Sequence, residues 1–84
     1  MNGQEKIQIE GEILDIELKT TMRGDQAAII KFLTKEKEIE VMAWPEYWEF
    51  FQSELQIGRT LVLEGILNDG ESEYFTLDKV ISSD

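Results

Sequence analysis

The 84-residue chain has no cysteine and no histidine, and only one proline. Without thiols there is no disulfide framework, no thiolate zinc site and no cysteine nucleophile. Without imidazole, the commonest metal ligand and the commonest general base are both missing. Basic residues are scarce as well: 8 Lys and Arg stand against 18 Asp and Glu, a formal net charge of −10. No apolar run approaches the roughly 18 residues that a membrane helix needs, and the polar start Met1-Asn2-Gly3-Gln4-Glu5 carries no signal-peptide pattern. The expectation is a soluble, cytoplasmic domain that is not an enzyme and holds no cofactor or metal.

Hydrophobic residues nevertheless make up 42% of the chain, enough for a packed core in one small domain spanning residues 1–84. Ile7, Ile9, Gly11 and Ile13 occupy one parity, whereas Leu14, Ile16 and Leu18 occupy the other. Period-two alternation predicts a strand over residues 7–18. The switch of parity at Ile13-Leu14 would turn its second half inside out unless a bulge absorbs one residue. Such a strand can serve two sides of a small barrel.

A loop follows at 19–26, turning at Gly24-Asp25. The second strand, about 27–34, puts Ala28, Ile30 and Phe32 on one face and Ile29, Lys31 and Leu33 on the other. After the charged turn Lys35-Glu36-Lys37, a third strand at about 38–44 alternates Ile39, Val41 and Ala43 with Glu40, Met42 and Trp44. Pro45 suits the first position of a helix, where no N–H is needed. Tyr47, Trp48, Phe51 and Leu55 share one side of it, predicting about three turns that end at Gly58. A fourth strand at about 59–67, a hairpin turn at Asn68-Asp69-Gly70-Glu71 and a fifth strand at about 73–81 complete the chain. The oxygen-rich residues 68–73 lack the spacing of an EF-hand loop and are read as that turn rather than as a calcium site.

Five strands with one helix between the third and fourth predict a mainly β fold, the oligonucleotide/oligosaccharide-binding (OB) barrel. In such barrels the second and third strands line a groove for nucleic acid. Residues 19–37 hold Lys19, Arg23, Lys31, Lys35 and Lys37 against Asp25 and Glu36 only. This is a local surplus of three positive charges in an otherwise strongly acidic chain, and it is expected to form one wall of the groove. Ile29, Leu33 and Met42 would supply a modest apolar platform. Trp44 either extends that platform or folds inward onto the helix beside Pro45; the inward position is the expectation. With no other ring on the outward parities of these two strands, and with Glu40 in the groove, weak binding is expected. The alternative reading is an acidic protein-interaction or spacer domain that binds no nucleic acid appreciably.

Several segments carry a family resemblance: Gly11-Glu12-Ile13, Thr21-Met22-Arg23-Gly24-Asp25, Ala28-Ile29-Ile30 and Ile39-Glu40-Val41-Met42-Ala43-Trp44-Pro45-Glu46-Tyr47. Leu55, Gly58 and Leu61-Val62-Leu63-Glu64-Gly65 continue it. Together they resemble the OB-fold domain of the alpha subunit of bacterial DNA polymerase III. The resemblance implies a non-catalytic module, cut from a larger replicative polymerase, that contacts single-stranded template DNA and neighbouring domains or subunits of a replication complex. Under it Lys19, Arg23 and Lys31 meet the backbone and Ile29 stands on the base-facing wall. The chain departs from the family pattern in having Ile29 where an aromatic is usual, in having only one basic residue beside Gly24 in the loop, and in being so acidic. The anticodon-binding barrels of aminoacyl-tRNA synthetases share the architecture, which keeps RNA as an alternative partner.

Overall fold

The computed structural model describes residues 6–69 and 73–83. Its elements run β1 (Ile7–Thr20), β2 (Gln26–Leu33), β3 (Glu38–Ala43), α1 (Pro45–Phe51), β4 (Thr60–Asp69) and β5 (Glu73–Ser83). The strands close into a barrel in the order β1-β2-β3-β5-β4. All neighbours are antiparallel except β3 and β5, which run parallel. This is the OB-fold arrangement that the order of elements predicts.

Strand β1 closes the barrel because it works on two sides. Its first half pairs with β4, from Ile7↔Gly65 to Glu12↔Thr60. Its second half pairs with β2, from Glu12↔Leu33 to Thr20↔Gln26. The ladder shifts register between Ile13 and Asp15, so Leu14 is the bulged residue that the parity switch requires. At the bend the strands approach so closely that a Cβ on Gly11 would collide with the carbonyl of Leu33 and lie 2.9 Å from the ring of Phe32. Only glycine fits this crossing.

The core follows the alternation. Ala28, Ile30 and Phe32 from β2, Val41 and Ala43 from β3, Leu61 and Leu63 from β4, and Phe75 and Leu77 from β5 are all buried around Ile13. Burying each large side chain contributes about 1.5–3 kcal/mol, and no covalent cross-link is needed. The turn between β1 and β2 is closed by the Thr21 N–H donating to the Asp25 carbonyl at 2.7 Å. Of the hairpin turn expected at 68–71, Asn68 and Asp69 belong to β4 and pair with β5 as far as Asp69↔Glu73, and residues 70 and 71 lie outside the described residues.

Helix α1 starts at Pro45, with the Trp48 N–H donating to the Trp44 carbonyl at 2.8 Å. Tyr47, Trp48 and Phe51 pack against the core from one barrel end. The helix is shorter than the three turns expected, since it ends at Phe51. Leu55 is buried as its place in the stripe requires, but it gets there through a tight turn, with the Glu54 N–H donating to the Phe51 carbonyl at 2.8 Å. Gly58 therefore does not cap the helix. Its left-handed backbone (φ 93°) reverses the chain so that its N–H reaches the Ile13 carbonyl at 2.8 Å, where β4 begins.

Candidate nucleic-acid interface

The barrel's outward face over β2, β3 and β5 is built in rows, because paired residues on adjacent strands point the same way. One row runs Glu17, Ile29, Met42, Thr76 from β1 through β2 and β3 to β5. The next runs Asp15, Lys31, Glu40, Tyr74 in the same order. A third, at the far end, runs Glu12, Leu33, Glu38.

The first two rows meet in a groove of about 180 Å³ lined by Ile29, Glu40, Met42, Trp44 and Tyr74. Ile29, Met42 and Tyr74 are half-buried, which makes an apolar floor open on one side. Trp44 corrects the expectation of an inward ring. It is 46% exposed and stands at the end of the groove. The cause is local: Trp44 follows Ala43 on the outward parity of β3, and its extended backbone (φ −64°, ψ 160°) precedes Pro45 before the helix turns inward. A second depression, of about 420 Å³, continues past Trp44 to Thr21, Arg23, Asp25 and Glu46. A path from Tyr74 over Met42 and Ile29 to Trp44 and Arg23 thus crosses the sheet.

Of the six residues singled out from the sequence, Ile29 and Met42 line this groove, Lys31 stands in the second row beside Glu40 without lining the groove, and Arg23 lies at its Trp44 end. Leu33 does not join them. It is 41% exposed in the far row between Glu12 and Glu38. Lys19 is on β1 and forms an ion pair with Glu17 at 3.1 Å.

The positive wall expected from residues 19–37 is not continuous. Lys37 is engaged by Glu73, and Lys31 is flanked across the strands by Asp15 and Glu40. The acids come from β1, β3 and β5, outside the basic stretch, and pairing of the strands brings them alongside. What remains is a groove with aromatic ends, one carboxylate in its lining and two nearby cations, Lys31 and Arg23, that make no ion pair among the described residues.

Tyr74 is the groove residue missed by the reading of the sequence. Its signal was its outward parity next to Phe75, but its place beside Glu40 depends on the parallel pairing of β3 with β5. A larger depression of about 440 Å³ at another barrel end is lined by Ile7, Ile9, Ile39 and Leu67 with charged neighbours, and it has no ring. Among the described residues, no group of acids is arranged to hold a metal ion and no helix is long and apolar enough to cross a membrane.

No protein-family model and no curated protein sequence matches the chain. Solved structures do. The SSB domain of a protein from Synechococcus sp. superposes with a TM-score of 0.80 at 13% identity, over 98% of this chain and 99% of that one. The mitochondrial single-stranded DNA-binding protein Rim1 of S. cerevisiae gives 0.74 at 11% identity, over 95% and 94%. The second OB-fold domain of replication protein A from Methanococcus maripaludis gives 0.63 at 15% identity, over 88% and 79%. At these identities the likeness is one of fold: the chain is an OB-fold barrel whose solved structural neighbours include SSB-type domains.

Proposed function

We propose that this domain is a non-catalytic module that binds single-stranded nucleic acid, DNA in the first place, across the outward face of β2, β3 and β5. The observation that carries the reading is the pair of rings, Trp44 and Tyr74, set at the ends of a groove floored by Ile29 and Met42. Bases unstacked from a strand find flat partners there, and such stacking tolerates any base. In this reading Lys31 and Arg23 meet phosphates, while the neighbouring carboxylates keep the electrostatic share of the affinity small. The structural neighbours named for single-stranded DNA binding support the same reading. Affinity is expected at the weak end of non-specific binding, roughly 10⁻⁴–10⁻⁵ M at physiological salt.

The finer likeness, to the module of a bacterial replicative polymerase alpha subunit that contacts template, rests on the sequence motifs around Gly11, Gly24 and Trp44-Pro45. Under it the domain works beside other domains or subunits of a replication complex. The test of the broader reading is a fluorescence anisotropy titration of a labelled strand of about 16 nucleotides, the upper end of the site size of an OB fold. Binding that saturates in the upper micromolar range is expected; an unchanged signal at low salt, with protein near millimolar, removes the proposal.

A second reading, a protein-docking or spacer domain, is favoured by one observation. Phe50 on α1 is 78% exposed, edge-on to Phe51, with Glu46 and Asp78 around it. In that case the binding surface is the helix and not the groove.

A further inference from the structure

Glu40 is an odd residue to find in the lining of a groove for a polyanion. It is exposed on the outward face, it lines the groove, and among the described residues no hydrogen bond or ion pair engages its carboxylate. Lys31 is its register neighbour on β2 and Tyr74 its register neighbour on β5. A cation, an acceptor and a ring therefore stand in one row across three strands. With strands about 4.8 Å apart, the row spans about 10 Å, on the order of one nucleotide. A phosphate set on Lys31 and a base stacked on Tyr74 would turn the base's edge toward Glu40.

An ionised carboxylate only accepts hydrogen bonds, so it sorts bases by the donors they offer. Guanine presents two adjacent donors, N1–H and the N2 amine, which match the two carboxylate oxygens as a bidentate, charge-assisted pair. Cytosine and adenine each present one amine beside a ring nitrogen whose lone pair faces the carboxylate. Thymine and uracil present one N–H between two carbonyl oxygens, both repelling it. Single-stranded bases are commonly read in this way, stacked on an aromatic side chain and hydrogen-bonded along the Watson–Crick edge.

We propose that Glu40 is the base-discriminating residue of the groove and that the domain prefers guanine-containing single strands. The inference rests on the single-strand-binding reading and adds a substrate preference to it. A carboxylate that merely solvates the face would weaken binding to all strands equally; one that reads an edge ranks them.

The experiment compares three labelled strands of equal length in a thymine background, with isolated guanines kept apart so that they cannot associate with one another. In the second strand each guanine is replaced by inosine, which keeps N1–H and loses the N2 amine; in the third it is replaced by thymine. The native protein is expected to bind the guanine strand about fivefold to tenfold more tightly than the thymine strand, in line with one good bidentate base contact, with inosine between them. Glu40→Gln, with its melting temperature checked against the native protein, is expected to bind the thymine strand more tightly than the native protein does and to lose the ranking. Glu40→Asp keeps the ranking in weaker form. Equal affinity of the native protein for all three strands overturns the inference and leaves single-strand binding standing, as does a ranking that survives unchanged in Glu40→Gln. Failure of the native protein to bind any of the strands removes both.

Discussion

The dependence of binding on salt separates a groove held by phosphate contacts from one held by stacking, and Lys31 is the residue on which to test it. Each phosphate neutralised on a single strand contributes about −0.7 to the slope of log K against log salt. If all five bases of residues 19–37 met phosphates, the slope would approach about −3.5, and affinity would fall on the order of a hundredfold between about 50 and 200 mM salt. The structure leaves far less. Lys19 is paired with Glu17 and Lys37 with Glu73, and Lys35 sits in the turn between β2 and β3, beside a depression distinct from the groove. Lys31 and Arg23 remain, which gives a slope of about −1.4 and a loss of about sevenfold over the same interval. Lys31→Ala is then expected to halve the slope to about −0.7 and to leave the melting temperature within error, since Lys31 is exposed. The assay is an anisotropy titration at four or more salt concentrations for both proteins. A native slope steeper than about −3, or an unchanged slope in Lys31→Ala, would refute the reasoning.

Trp44→Ala and Tyr74→Ala should each weaken binding of a single strand by about 1–3 kcal/mol, the worth of one stacked base, as measured by the same titration. Circular dichroism should show both variants folded, because Trp44 and Tyr74 both lie on the outward face and neither belongs to the buried core. Gly11→Ala acts on the fold instead. Its new methyl would meet the Leu33 carbonyl and the Phe32 ring, so the midpoint of urea unfolding should fall by the equivalent of roughly 3 kcal/mol, the upper end for overpacking. A midpoint unchanged by that substitution would mean that β1 does not cross β2 as closely as described.

The architecture was legible because its signals are local and mutually consistent. The parity switch at Ile13-Leu14 can be read from hydrophobicity alone, and the bulge sits there because one face of β1 must stay against the core on both sides of the bend. The length of the helix was less legible. Leu55 continues the apolar stripe of Tyr47, Trp48 and Phe51, so periodicity extends the helix to it, whereas a tight turn places it in the same core position. The site was legible only in part, for a different reason. A count of charge along the chain places Lys31 among bases, but in the sheet its nearest lateral neighbours are Asp15 and Glu40. The rings were likewise hidden. Trp44 looked bound for the core because Pro45 and the helix follow it, and Tyr74 reaches the groove only through the pairing of β3 with β5 across the closure of the barrel. Contacts within a strand or a hairpin are written in the order of residues; contacts made by closing the barrel are not.

The most direct test of the interface is chemical-shift mapping of the labelled protein with an unlabelled single strand at low salt. The amides of Ile29, Lys31, Glu40, Met42 and Tyr74 and the indole N–H of Trp44 are predicted to move together and to saturate with one affinity. Shifts that gather instead on α1 around Phe50, with these groups unmoved, would contradict the account and leave the barrel as a scaffold for a different surface.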